Sequence, residues 1–67
     1  MNCEELKKRI DERGLKIRYI AEKLGISHEA MYNKVKGKTE FKVSEVAALA
    51  KVLNLSDKEI RSIFFAR

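Results

Sequence analysis

The sequence predicts a compact all-α domain of about five short helices, formed as one unit by residues 1 to 67. Apolar residues recur at steps of three and four along several stretches, which is the period of one helix face. The chain has no proline, and each of its three glycines follows such a stretch, where glycine can end a helix. No run alternates apolar and polar residues for long enough to indicate a strand. A chain of 67 residues suffices for one small domain with a single core.

The first two helices are predicted on either side of Gly14. The first runs from about Cys3 to Arg13, because Asn2 can cap its N-terminus and Glu5 stands at the N3 position of a capping box. Its apolar stripe is Cys3, Leu6 and Ile10. The second runs from about Ile17 to Leu24, after Lys16, whose side chain is a poor cap. Its inner face is Ile17, Ile20, Ala21 and Leu24.

Two further helices are predicted in the last third of the chain. One begins near Val43 or Ser44 and ends near Leu53, with Asn54 as the residue that closes it. Its apolar stripe is Val43, Val46, Ala50 and Leu53. The last helix begins at Ser56, which forms a capping box with Glu59. Its inward residues are Ile60, Ile63 and Phe64.

The composition argues against several classes of protein. The chain is 45% hydrophobic and 37% charged, which is too apolar for a disordered tail and too polar for a membrane segment. Cys3 is the only cysteine, so no disulfide forms within the chain, and we expect an intracellular protein. Cys3 and the lone His28 have no zinc-site spacing, so we expect no metal and no cofactor.

Basic residues are concentrated in the middle of the chain. The net charge is +5, and residues 16 to 42 carry seven basic and three acidic side chains, a difference of +4. Such an excess is typical of a domain with a polyanionic partner, although the same lysines can simply keep a helical surface soluble.

A predicted helix-turn-helix lies in this basic segment, at residues 17 to 36, which read IRYIAEKLGISHEAMYNKVK. A third helix, from about His28 to Lys36 with Ser27 as its N-cap, follows the tight turn of residues 25 to 27. The small Ala21 lets the two helices cross closely, and Met31 and Val35 hold the third helix on the core. A helix pair of this kind can present its second helix to the major groove of DNA.

The stretch IAEKLGISHEAMYNKVKGK resembles the helix-turn-helix of the lambda-repressor-like, Cro-type family of phage and bacterial regulators. The residues that carry the resemblance are Ala21, Gly25, Ile26, Ser27 and Gly37. The flanking KGKTEFKVSEVAALAKVLNL and the terminal IFFAR are similar to small phage-encoded regulators that have little beyond the DNA-binding domain. The resemblance implies a sequence-specific transcription regulator, such as a phage or prophage repressor or Cro-like protein, in the bacterial cytoplasm or nucleoid.

The chain also departs from the family pattern. Many members have Gln, Ser or Thr near the start of the second helix, where a side chain reaches phosphate, and here Lys16 and Ile17 stand there. Lys16 or Arg18 could replace that contact. Some members join the first and third helices by an Arg–Glu pair, and Ile10 and Val35 occupy those places here, which avoids burying two charges.

The third helix supplies the predicted contacts to bases. With Met31 and Val35 as its buried edge, Asn33 points outward and can pair with adenine N6 and N7. Glu29 can accept a hydrogen bond from cytosine N4, a neutral histidine can donate to a purine N7, and a tyrosine can lie against a thymine methyl or a phosphate. The predicted base contacts, three of which the resemblance also implies, are His28, Glu29, Tyr32 and Asn33.

The contacts to phosphate are predicted around this helix. Exposed amides at a helix N-terminus bind phosphate, and cations after the Gly37 turn would lie where the strand backbone passes. The predicted phosphate contacts are Lys16, Arg18, Ser27, Lys36, Lys38, Thr39 and Lys42.

Each predicted base contact also has an ordinary explanation. Asn33 and Glu29 can be solvated surface residues, and a carboxylate near DNA is unfavourable unless it meets a donor. Tyr32 can be a half-buried packing residue, and His28 can be a surface residue near the cap.

A second class of function remains open beside DNA binding. An antirepressor or adaptor could use the same fold to bind protein, although the basic excess argues against it. No catalytic set of side chains, phosphate loop or metal cluster indicates an enzyme.

We also expect a homodimer on DNA. One recognition helix reads only about four or five base pairs, so a unique site needs a two-fold dimer on a partly palindromic operator. The predicted self-contact surface is Ile63, Phe64, Phe65 and Arg67.

Overall fold

A computed structural model of the chain describes residues 1–65, and this part is helical without any strand. The first five helices are α1 (Cys3–Glu12), α2 (Ile17–Leu24), α3 (His28–Val35), α4 (Val43–Leu53) and α5 (Asp57–Ile60). The last of them continues as a π-helical turn, Arg61–Phe65. The predicted all-α architecture is therefore confirmed, with α1 and α3 each one residue shorter than expected because Arg13 and Lys36 act as their C-caps.

A single hydrophobic core holds the helices together. Its buried side chains come from α1, α2, α3, α4 and the π-helical turn, and each large one contributes about 1.5–3 kcal/mol by leaving water. The buried residues are Leu6, Ile10, Ile20, Ala21, Met31, Val35, Leu49, Leu53 and Ile63. None of the side chains buried within the described part of the chain is polar or charged. Ile10 on α1 and Val35 on α3 are both buried apolar residues, and both line the same cleft between these helices.

The turn between α2 and α3 depends on backbone conformation. Gly25 has φ of 73°, in the left-handed region, and a Cβ there would meet nothing within 4 Å. Glycine is therefore favoured at this position by its backbone freedom alone. The N–H of Ile26 donates to the carbonyl of Ala21 at 3.0 Å, which closes the end of α2 and turns the chain into α3.

The apolar face of α4 differs from the sequence-based expectation. Val43, predicted in the stripe, is 88% exposed, whereas Leu49, which was not, is fully buried. Val43 lies about 100° around the helix from the midpoint of Leu49 and Leu53, so its side chain leaves the core face. The steps of three and four in the sequence fit two neighbouring faces, and packing selects the one centred on Leu49 and Leu53.

The capping box predicted for α1 is only half formed. Asn2 Oδ1 accepts from the Glu5 N–H at 3.1 Å, as expected. The Glu5 carboxylate instead accepts from Ser62 Oγ at 2.6 Å, and the Asn2 N–H donates to the carbonyl of Ile63 at 2.6 Å. The π-helical turn therefore replaces the local partner and is tied to the N-terminus of α1.

Ion pairs fasten α1 to α5 on the same side of the molecule. Arg9 lies 2.7 Å from a carboxylate oxygen of Glu12 and 2.9 Å from one of Glu59. Arg13 Nε donates to the carbonyl of Leu53 at 2.9 Å. These arginines are engaged within the protein, so the basic residues free to meet a partner lie elsewhere. No helix within residues 1–65 is long and apolar enough to cross a membrane.

Candidate nucleic-acid interface

The start of α3 is organised as expected. Ser27 Oγ accepts from the N–H of Ala30 at 3.0 Å, which caps the helix and leaves the hydroxyl at the surface. Met31 and Val35 are buried and hold α3 against the core. Because both anchors lie on one edge, the opposite face of α3 is presented outward.

The outward face of α3 carries most of the predicted base contacts. His28, Glu29 and Tyr32 are exposed, and Tyr32 retains 49% of its surface. Asn33 is only partly exposed, which differs from the expectation that it points freely outward. At this end of the helix the Lys38 N–H donates to the main-chain carbonyl of Asn33 at 2.9 Å, after the turn at Gly37.

Tyr32 and Lys36 form a pair on this face. Lys36 Nζ lies 4.7 Å from the centroid of the Tyr32 ring, within the range of a cation–π interaction. The interaction holds a predicted phosphate contact beside a predicted base contact.

A cleft of about 660 Å³ runs between α1, the start of α2 and α3. It brings together two predicted base contacts and three predicted phosphate contacts, namely His28 and Tyr32 with Lys16, Arg18 and Lys36. Lys7 also lines it and was missed, because its position on α1 shows no relation to the helix-turn-helix until the two are packed together. Asp11 is the acidic residue of the lining, so the cleft carries an excess of positive charge.

The remaining predicted phosphate contacts lie on the segment after α3. Lys38, Thr39 and Lys42 are exposed. Thr39 borders a second cleft, together with Cys3 and Phe41, and so is separated from the residues around Lys16 and Arg18. The predicted phosphate contacts thus lie in three places: Lys16, Arg18 and Lys36 at the first cleft, Lys38, Thr39 and Lys42 after Gly37, and Ser27 at the N-terminus of α3.

Lys34 does not contribute to the exposed basic surface. Its Nζ atom lies 2.9 Å from Glu45 Oε1, and the two side chains are only 12% and 11% exposed. Of the seven basic residues at positions 16 to 42, six therefore remain exposed, opposite three exposed acidic residues, which leaves +3 rather than +4. The pairing joins residues 11 positions apart, so no local sequence pattern predicts it.

Glu45 is held in its charged form. The main-chain N–H of Lys42 donates to Glu45 Oε1 at 2.8 Å and is the main reason why the pKa of Glu45 lies below its ordinary value. The hydrogen bond from Lys34 lowers that pKa further, and desolvation opposes both. A carboxylate of this kind stays ionised at neutral pH and keeps its hydrogen bonds from Lys34 and from the Lys42 N–H.

The second cleft has an apolar lining and bears on the expected self-contact surface. It measures about 600 Å³ and lies beside three exposed apolar side chains, those of Met1, Val43 and Phe65. Phe65 is 66% exposed, as a contact residue should be, whereas Ile63 is buried in the core and the prediction for it is wrong. Phe64 is partly buried, with its ring 5.7 Å from that of Phe41, and Arg67 lies outside the described residues.

No group of three or more His, Cys, Asp or Glu side chains within residues 1–65 could hold a metal ion. The arrangement of charged, aromatic and amide side chains on and around α3 can instead donate and accept hydrogen bonds at a polyanionic surface.

Comparison with known proteins assigns the fold to a family. A family model described as helix-turn-helix matches residues 6–60, which is most of the chain. Neither a curated protein nor a solved structure was found to match. The matched region includes α2, the turn at Gly25 and all of α3. Proteins with this domain are DNA-binding regulators, not typically enzymes, and the chain belongs to the lambda-repressor-like, Cro-type family of helix-turn-helix proteins.

Proposed function

We propose that this protein is a sequence-specific regulator of transcription that binds double-stranded DNA and reads the major groove with residues 28 to 36. Its role is that of a repressor or Cro-like protein of phage or prophage origin, acting in the bacterial cytoplasm. The observation that carries the proposal is the exposed face of α3, with His28, Glu29 and Tyr32 beside a cleft that is rich in basic residues. Family membership supports DNA as the target in general. The roles of individual residues and the dimer are argued from the chemistry and exposure of the side chains.

Base recognition falls to the exposed end and face of α3. His28 stands in the first turn, where it can project into the groove, and Glu29 and Tyr32 share the exposed face. Asn33, although partly covered, carries the amide that best distinguishes adenine. These four residues are the proposed base contacts.

Phosphate contacts flank the base contacts. The first group lines the cleft beside α3 and consists of Lys16, Arg18 and Lys36, to which Lys7 is added. The second lies on the segment after Gly37 and consists of Lys38, Thr39 and Lys42. Ser27 adds its hydroxyl at the N-terminus of α3, where the helix dipole favours an anion.

Dimerisation supplies the length of sequence that one α3 cannot read. The exposed side chains of Met1, Val43 and Phe65 at the second cleft support a self-contact there, because exposed apolar side chains in one place are typical of interfaces. We therefore propose a two-fold homodimer whose contact surface is centred on Phe65.

The test is a selection of binding sites from a pool of random duplexes, followed by sizing of the protein with and without the selected duplex. The proposal expects enrichment of a partly palindromic sequence and two protein chains on each duplex. A protein that enriches no sequence and binds no duplex at low salt would favour an adaptor or antirepressor, which uses the fold to bind protein.

A further inference from the structure

The segment from Lys36 to Lys42 is tied to α3 at its beginning by the main chain. The N–H of Gly37 donates to the carbonyl of Lys34 at 3.1 Å, and the N–H of Lys38 donates to the carbonyl of Asn33 at 2.9 Å. These two bonds, with Gly37 in the left-handed conformation, form the Schellman motif that ends the helix. They set the direction in which the segment leaves α3, and they leave its far end free.

The far end is held by the Phe41 ring, which packs on the core 5.7 Å from the ring of Phe64, and by one pair of charged side chains. Lys34 Nζ donates to Glu45 Oε1 at 2.9 Å and to the main-chain carbonyl of Glu40 at 3.0 Å. The same Glu45 oxygen accepts from the main-chain N–H of Lys42 at 2.8 Å. One carboxylate thus joins α3, the 36–42 segment and the first turn of α4 at a single point.

This pair is engaged within the protein and does not contact the solvent freely. An ammonium that is mostly covered and bonded to a carboxylate and a carbonyl cannot turn to a phosphate without leaving the partly buried Glu45 carboxylate with no cationic partner, only the Lys42 N–H. Lys34 therefore differs from the exposed Lys36, Lys38 and Lys42 around it. Its contribution is to the shape of the segment.

We propose that Glu45 is a positioning residue for DNA binding, which acts by clamping Lys34 and the Lys42 main chain so that the 36–42 segment is preformed for phosphate. This inference rests on the proposed function and assigns to it a residue outside the helix-turn-helix. A preformed segment loses less conformational entropy on binding than a mobile one, so affinity falls when the clamp is removed. Glu45 itself touches no DNA in this arrangement.

The sign of the effect distinguishes positioning from simple electrostatics. Removing a negative charge from a basic surface strengthens its attraction for DNA when nothing else changes. Glu45→Ala removes such a charge together with the clamp, so positioning predicts weaker binding, by roughly five- to tenfold. Glu40→Ala is the matched control, because it removes one negative charge from the same segment and keeps the carbonyl that Lys34 contacts.

The experiment has two measurements. The first is the affinity of the wild type and both variants for the duplex that the wild type selects and for an unrelated duplex, at several salt concentrations. We expect Glu45→Ala to weaken both complexes with an unchanged salt slope, and Glu40→Ala to bind as tightly as the wild type or more tightly. The second is amide hydrogen exchange in the free protein, where we expect faster exchange at residues 40 to 42 in Glu45→Ala only.

The outcomes separate this inference from the proposed function. If the wild type binds no duplex, the proposed function fails. If the wild type binds and Glu45→Ala binds as tightly as Glu40→Ala, the positioning role is wrong and the DNA-binding role stands. Should Glu45→Ala not fold, Glu45→Gln replaces it, because its amide oxygen still accepts from Lys42 while the charge that holds Lys34 is gone. We then expect a loss of about two- to threefold, and equal or tighter binding overturns the inference.

Discussion

The Sγ atom of Cys3 lies 2.9 Å from the point that a Cβ atom on Gly37 would occupy. Gly37 also has φ of 85°, in the left-handed region, so two independent reasons favour glycine there. The contact packs the N-terminus of α1 against the turn that ends α3. The position of the segment after α3 therefore depends on α1 as well as on the helix-turn-helix.

Gly37→Ala is expected to destabilise the protein more than Gly14→Ala does. Both residues have positive φ, which costs about 1–2 kcal/mol for an L side chain, but only the Gly37 site has an atom in the way. Thermal and urea unfolding of the two variants measure the difference. The double variant Cys3→Ala/Gly37→Ala tests the cause. Removing Sγ should restore the stability that the steric clash cost, so that only the cost of the positive φ remains. Equal losses for the two glycine variants would contradict the steric contribution.

Asn33→Ala and Lys38→Ala are expected to weaken DNA binding in different ways. The Asn33 amide can discriminate adenine, so its loss should cost about 1–3 kcal/mol on the selected duplex and little on an unrelated one. Lys38 is exposed beyond Gly37, and its loss should weaken both complexes by a similar factor. Titrations of both variants with both duplexes measure these effects. If Asn33→Ala weakened both complexes equally, the proposed placement of α3 in the groove would be wrong.

The salt dependence of DNA affinity is expected to give the number of phosphate contacts. Four to six contacts per chain give a slope of log affinity against log salt of about −4 to −5. Lys36→Ala should reduce that slope by about one, whereas Lys58→Ala, on α5, should leave it unchanged. Titrations at four or more salt concentrations provide the slopes. Binding that does not respond to salt would exclude this set of contacts.

Stability is expected to fall in acid because of Glu45 and Glu59. The pKa of Glu59 is lowered chiefly by the hydrogen bond from the Ser56 N–H, and that of Glu45 by the one from the Lys42 N–H. Each carboxylate stabilises the fold fully above its pKa in the unfolded chain, roughly 4.3. That stabilisation is lost as the pH falls through the lower pKa of the folded state.

Melting temperatures between pH 7 and pH 3 test this expectation. The wild type should change little down to about pH 5 and then fall. Glu45→Gln should be less stable at pH 7 and should lose less on acidification, because it has no carboxylate to protonate at that position. Glu40→Gln serves as the control in the neighbouring segment and should follow the wild type. A Glu45→Gln profile parallel to that of the wild type would contradict a role for the Glu45 charge.

Phe65→Ser is expected to weaken self-association without unfolding the protein. The ring is 66% exposed, so little of the core depends on it. Lys51→Ser, an exposed change on α4, is the matched control and should leave assembly unchanged. Sedimentation of each variant with the selected duplex gives the number of chains bound. Two chains of Phe65→Ser on each duplex at wild-type affinity would place the dimer contact elsewhere.

The starts of the helices, the end of α2 and the position of the helix-turn-helix followed from the sequence by itself. Ser27 and Ser56 each cap the helix that begins at the next residue. Gly25 takes the left-handed conformation that is expected of a glycine directly after α2. These features depend on contacts within three or four residues, which a sequence displays directly. The roles of individual residues at the DNA-binding surface stay predictions, since they depend on a partner.

Only the tertiary structure decided which charged side chains are paired within the protein and which apolar side chains are exposed to solvent. Lys34 and Glu45 stand 11 positions apart, and Glu5 and Ser62 stand 57 apart, so each pair exists because packing brings distant helices together. Val43 looks like a core residue by its spacing, yet it is exposed because α4 turns a neighbouring face inward. Periodicity defines the faces of a helix, but the choice of the buried face and of the paired charges depends on every other helix in the core.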